Sequence, residues 1–402
     1  GPAMTAPPPN RESAAEVLLV ALRLGLTSFG GPIAHLGYFE RTYVRDRRWL
    51  SADDYAGIVA LCQMLPGPAS SQIGLLIGLR RAGLAGALAA WVGFTLPSAL
   101  ALFAFALIAP RMHGPLLAAV LHGLQLVAVA VVAQAVRSMA QRLCPDRTRA
   151  LVALTAAALM LVIGGTATQI LTLALGAIIG AILCRGRASL PAMPHMQLSL
   201  RAGGIALALF AALLAGLPLL SNGAPHSLPA LAAIFYQSGA LVFGGGHVVL
   251  PLLRDALVPH GWLSDHLFLA GYGATQAMPG PLFTLAAYLG AVVAPPGSAA
   301  LWSAVALVFM FLPGILLALA SLPLLRALAQ HPAANAALAG VNAAVVGVLG
   351  SALYDPVWTS AVHNGRDVAI AIIGFFLLDR WRLPPLAAVA WCVGAALVAT
   401  IA

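Results

Sequence analysis

Residues 27–39 read TSFGGPIAHLGYF and sit inside an apolar run otherwise long enough to cross a bilayer. Gly30, Gly31 and Pro32 break a helix there, and His35 is expensive in hydrocarbon without a partner. The break returns later in the chain, where SFGG at 28–31 is answered by VFGG at 242–245. Other landmarks return around it. WLS at 49–51 recurs at 262–264, QMLPGP at 63–68 as QAMPGP at 276–281, Pro97 of FTLPS as Pro313 of MFLPG, and Gln125 near Asn342. Landmarks repeating in one order at nearly constant spacing mark a duplication, and such repeats with interrupted helices characterise secondary transporters.

The composition sets the class. Of 402 residues, 61% are hydrophobic and 8% charged, where soluble domains carry roughly a quarter charged residues. Apolar runs of about 20 residues recur end to end, so the chain is expected to be an all-α polytopic membrane protein. The strict alternation of a β-barrel strand is missing. Hydrophobic segments fall at 14–39, 55–79, 84–109, 115–136, 150–164 and 168–184, then at 229–252, 267–291, 300–322, 334–353, 366–379 and 384–401. One more, 201–220, joins the halves, making about 13, and an odd joining span turns the second copy upside down. The expected organisation is a disordered tail at 1–13 opening with the tag scar GPA, an N-terminal repeat at 14–184, a linker with one transmembrane helix at 185–228, and an inverted repeat at 229–402. No cleavable signal peptide is read at the start.

All 21 basic residues are arginine, and the net charge is +9. They are dispersed between apolar spans and form no face for nucleic acid. Loops 40–54, 80–83, 137–149 and 185–201 are rich in arginine, whereas 253–266 and 354–366 hold one each and 292–299 none. The order reverses at DRWRLPP, 379–385, whose partner at 164–168 is neutral. The positive-inside rule then places equivalent loops on opposite sides, with Arg111, Arg254 and Arg366 outside. Loops 40–54 and 80–83 both look cytoplasmic although segment 55–79 separates them. Pro66-Gly67-Pro68 at its middle leaves each arm only about 16 Å of helix. A re-entrant hairpin resolves the conflict, and segment 14–39 is read in the same way.

Irregular backbone at membrane depth belongs in protein or beside a watery cavity. Helix N-termini at such breaks present free N–H groups and a positive dipole end, which suits an anion. Gly30, Gly31, Gly67, Gly244, Gly245, Gly246 and Gly280 allow close approach, with Pro66 and Pro279 beside them. Uncharged donors cluster nearby as substrate-binding candidates: Thr27, Ser28, Gln63, Ser70 with Ser71, Gln276 and Thr284. Arg23 lies within the first segment, and a fixed cation there favours a dianion. His247 is a further substrate-binding candidate, and His35 and His247 are candidates for a coupling proton. Ser51 and Ser264 of the WLS motifs are expected to cap helices, and Trp49 and Trp262 to anchor at the interface. Four isolated cysteines, no H-E-x-x-H and no G-x-S-x-G call for no metal, no cofactor and no enzymatic chemistry.

The paired blocks SFGGPxxHLG…RWLS…QxLPGP and FGGGxxVLP…GWLS…QxMPGP resemble the chromate transporter family, of its long two-domain type, over nearly the whole chain. The resemblance implies secondary active export of chromate across the bacterial cytoplasmic (inner) membrane, giving chromate resistance, with sulfate as a related oxyanion. A transporter of sulfate or another oxyanion, or a passive anion channel on the same scaffold, is the alternative. Partners are then the oxyanion and the lipid bilayer, and a homodimer is compatible with a transporter of this size.

Overall fold

A computed structural model of the protein describes residues 11–28, 31–109, 114–186, 198–221, 224–243, 246–328 and 331–401. Among these the chain is helical, with no strand. Apolar runs demand this, because a chain in hydrocarbon must satisfy its N–H and C=O groups internally. Among the described residues five helices are long and apolar enough to cross a membrane: Ala69–Ile108, Pro115–Leu143, Leu200–Ser221, Ala299–Pro323 and Pro332–Ala361. The protein is an all-α membrane protein.

The first half opens with α1 (Arg11–Thr27), a break, and α2 (Gly31–Phe39), which runs on through a wider π-helical stretch, Glu40–Asp46. Then come α3 (Ala52–Met64), a second break, and α4 (Ala69–Ile108). Ala82 and Gly83 leave helical geometry inside α4, Gly83 at φ +64°, so it consists of a near limb and a far limb. The half closes with α5 (Pro115–Leu143), α6 (Arg147–Val162) and α7 (Gly165–Leu183), and α8 (Leu200–Ser221) follows. The second half has the same order: α9 (Leu228–Ala240), a break, α10 (Val249–Leu257), α11 (Asp265–Thr275), a break, α12 (Leu285–Val292), then α13 (Ala299–Leu328) and α14 (Pro332–Ala352). A short α15 (Thr359–Ala361) precedes α16 (Gly365–Asp379) and α17 (Pro385–Ile401).

Several boundaries differ from the sequence reading; α5, for one, runs on to Leu143 where its segment is read to end at 136. Helix α1 begins at Arg11, inside the tail expected to be disordered; residues 1–10 lie outside the described residues, as does Arg111. Helix α6 begins at Arg147 because Asp146 caps it, accepting the Arg149 N–H at 3.0 Å. The WLS serines do cap their helices. Ser51 accepts from Asp54 N–H at 3.1 Å and Ser264 from Leu267 N–H at 3.3 Å.

Side chains tie together the ends of each broken segment. Asp54, at the start of α3, pairs with Arg80, at the end of the near limb of α4, at 2.8 Å. The Arg81 guanidinium lies over the Trp49 ring at 5.3 Å. Glu16, early in α1, receives Arg47 beyond α2 at 3.0 Å and Arg81 at 3.4 Å. In the second half His226 before α9 meets Trp262 beyond α10, ring centroids 4.5 Å apart, and Trp262 meets Trp302 at the start of α13 at 6.3 Å. The two ends of each of these segments therefore lie close together.

The halves also exchange partners. Helix α5 packs on α16 and α17, and α14 packs on α6 and α7. Glycines allow these contacts, as small residues do between membrane helices. A Cβ on Gly123 of α5 would fall 2.6 Å from Val393 Cα of α17. One on Gly340, the equivalent position of α14, would overlap the Gly176 carbonyl oxygen of α7.

Candidate functional site

The two Pro-Gly-Pro turns end α3 and α11. Gly67 (φ +120°) and Gly280 (φ +90°) turn the chain in conformations that a side chain resists. The turns reach the glycine breaks of the opposite half in reciprocal pairs. Gly67 N–H donates to Val242 O at 2.7 Å, and Gly280 N–H donates to Ser28 O at 3.0 Å. Ser28 and Val242 are equivalent positions of the two copies, and so are Gly67 and Gly280. A Cβ on Gly67 would lie 2.9 Å from Gly314 Cα, and one on Gly280 would lie 3.1 Å from Ser98 Oγ. Gly314 and Ser98 each follow the matched prolines Pro313 and Pro97. All four breaks therefore meet at one crossing.

His35, fully buried, organises the first-half side of it. Its Nε2 lies 3.1 Å from Ser28 O and its Nδ1 3.0 Å from Ser70 Oγ. A carbonyl has no hydrogen to give, so Nε2–H donates to it; the Nδ1 of the neutral ring then accepts the Ser70 hydroxyl. Ser28 O thus uses both lone pairs, one for His35 and one for the opposite half. The Phe94 ring meets the imidazole edge-on at 5.3 Å. Gln72, in the first turn of α4, donates through Nε2 to Pro66 O at 2.9 Å and to Gly314 O at 3.0 Å.

Four polar atoms around this group are buried without a partner among the described residues: Ser28 Oγ, Ser71 Oγ, Gln72 Oε1 and Thr95 Oγ1. Each belongs to Ser28 itself or lies within two positions of Ser70 or Phe94, which touch His35. A buried unsatisfied polar group costs on the order of 1–3 kcal/mol, so several together favour a polar occupant. The second copy offers no such place. Aligned through the landmarks, Ser28 falls on Val242, His35 on Val249, Ser70 on Phe283, Gln72 on Leu285 and Thr95 on Phe311. All five second-copy residues are fully buried. Its polar side chains are engaged: Thr284 Oγ1–H donates to Pro281 O at 2.7 Å, Gln276 Nε2–H to Thr275 Oγ1 at 3.1 Å, and His247 Nδ1 shares a 2.7 Å hydrogen bond with Tyr272.

The remaining candidates fall as follows. Arg23 and Thr27 are exposed, on a face of α1 shared with exposed Leu19 and Leu26, and the Thr27 hydroxyl donates to Arg23 O at 2.8 Å. The structure does not bring them into the buried group. Glu16 pairs with Arg47 and Arg81 rather than Arg23. Gly31 starts α2 at φ +76°, Gly246 starts a short 3-10 turn before α10, and Pro279 leads into Gly280. Gly30, Gly244, Gly245 and the side chain of Gln63 lie outside the described residues. Gly67 and Gly280 were expected to offer N–H groups to a ligand; both are instead engaged across the halves. Gln72 and Thr95 were not singled out from the sequence. Their signal was present, as polar residues where the other copy is apolar.

The group holds no carboxylate or guanidinium. It has hydroxyl donors, an imidazole and the first turn of α4, whose dipole is positive at Ser70 and Ser71. That chemistry fits the oxygens of a small anion.

Comparison with known proteins gives a matching answer. The family model described as chromate transporter matches residues 15–181 and 229–400, one stretch in each half. A chromate transport protein of Pseudomonas aeruginosa is 30% identical over 367 residues, covering 90% of this chain and 86% of that one. A probable chromate transport protein of Synechococcus elongatus is 28% identical, covering 90% and 88%. A chromate transport protein of Cupriavidus metallidurans is 28% identical, covering 84% and 81%. No solved structure matches the chain.

Proposed function

This chain belongs to the chromate transporter family, and we propose that it carries chromate out of the cell by secondary active transport, conferring chromate resistance. Its relatives are transport proteins rather than enzymes, and it is a multi-pass membrane protein, in bacteria of the inner membrane. The observation that carries the proposal is the reciprocal crossing, Gly67 N–H to Val242 O and Gly280 N–H to Ser28 O. It supports two inverted repeats whose breaks share one centre, the place where such transporters bind substrate. The orphaned hydroxyls support binding on the first-half side, where those of Ser28, Ser71 and Thr95 turn toward a tetrahedral oxyanion. Sulfate, of the same shape and charge, competes. Rocking of one repeat against the other would expose that side alternately.

Arg23, exposed on α1 outside the buried group, is the fixed cation that draws the dianion toward the protein. The test is chromate flux into proteoliposomes of the purified protein, with and without an imposed membrane potential or proton gradient. Accumulation against the chromate gradient, reduced by excess sulfate, is expected. Flux that only runs down the gradient marks a passive channel, and absence of chromate flux under any gradient overturns the substrate. Arg23→Gln is expected to raise the half-saturating chromate concentration several-fold; an unchanged value removes Arg23 from the pathway.

A further inference from the structure

We infer that His122, His363 and Asp367 form a binding site for a divalent transition-metal ion of the zinc type, at the arginine-poor end of the bundle. The residues come from separate places. His122 lies early in α5, Asp367 in the first turn of α16, and His363 just before it. His122 Nε2 is 2.9 Å from Asp367 Oδ1, and His363 Nδ1 is 3.7 Å from Asp367 Oδ2. One ligand atom from each residue lies within 4.8 Å of the other two. Tetrahedral zinc with ligand bonds of about 2.0–2.1 Å sets its ligand atoms about 3.3 Å apart, so small side-chain rotations bring all three onto one ion.

The site has a fixed wall and a free side. The Asp367 side chain is 6% exposed, and its Oδ2 accepts the His363 N–H at 2.9 Å. The His363 side chain is 60% exposed and free to close over an ion. A cavity of about 370 Å³, lined in part by His122, Asn364 and Asp367, opens beside them, giving access and room for a water as fourth ligand. Arg366 also lines it, with its guanidinium directed to Ala399 O at 3.3 Å. A third imidazole, His266, stands in the first turn of α11, and its carbonyl accepts from Gln125, one turn beyond His122, at 3.1 Å. Two imidazoles and one carboxylate suit zinc, cobalt or nickel; calcium and magnesium prefer oxygen ligands alone. None of these residues belongs to the crossing of the breaks, so the inference stands apart from the transport reading.

Equilibrium dialysis of untagged, detergent-purified protein against Zn²⁺, and the visible absorption of the protein with Co²⁺, test it. One tightly held equivalent is expected, with the Co²⁺ spectrum of a four-coordinate site. His363→Ala and His122→Ala are each expected to weaken binding at least tenfold. His363, being exposed, should leave the metal-free unfolding temperature unchanged when replaced. Failure to retain an ion, or equal binding by wild type and both variants, overturns the site.

Discussion

Ser28 O receives one hydrogen bond from its own half, through His35, and one from the other, through Gly280. His35→Ala removes two hydrogen bonds at roughly 1 kcal/mol each. It is expected to destabilise the protein by about 2 kcal/mol and Ser70→Ala by about half that, read as lowered thermal unfolding in detergent. An equal effect of both would mean that the bond to Ser28 O contributes nothing. The sequence made His35 and Ser28 visible because they stand beside Gly30 and Gly31. It did not explain why His35 lacks a counterpart. The structure does, since Val249 holds that place in a copy filled with apolar side chains. Gln72 escaped notice because its partners, Pro66 O and Gly314 O, are backbone groups far apart in sequence.

Among the elements, the broken segments were the most legible. Glycine and proline mark each break chemically, and the arginines of loops 40–54 and 80–83 required the two ends of segment 55–79 to lie together. The Asp54–Arg80 pair and the Trp49–Arg81 contact show how they do. The exchange of α5 and α14 between halves was not legible. It rests on glycines whose purpose appears only when the facing backbone is known. Gly340 is such a position, while Gly350 on the same helix has open space where a Cβ would go. Gly340→Ala is expected to destabilise the protein by about 1–3 kcal/mol through overpacking and Gly350→Ala to leave the unfolding temperature unchanged. Equal sensitivity at both positions would count against the α7–α14 packing.

At the scale of the whole molecule, the duplication is read from landmarks in order, and the family model matches one stretch in each half. Inversion is tested by labelling single cysteines at Arg45 and His260, both exposed, in a background where Cys144 is serine and the buried Cys62, Cys184 and Cys392 remain. Arg45→Cys is expected to label from the cytoplasmic side and His260→Cys from the opposite side. Labelling of both from one side contradicts the inverted repeat.

The central claim is that a symmetric crossing carries an asymmetric site, polar in the first copy and closed in the second. Ser71→Ala removes an orphaned hydroxyl donor from the first copy. Thr284→Ala trims the hydroxyl at the equivalent second-copy position, already bonded to Pro281 O. The decisive measurement is the initial rate of chromate flux into proteoliposomes for these two variants beside wild type, normalised to folded protein. At least a tenfold loss for Ser71→Ala, with Thr284→Ala within twofold of wild type, is the expected result. Equal losses for both, or a Ser71→Ala variant as fast as wild type, would contradict a site confined to the first copy.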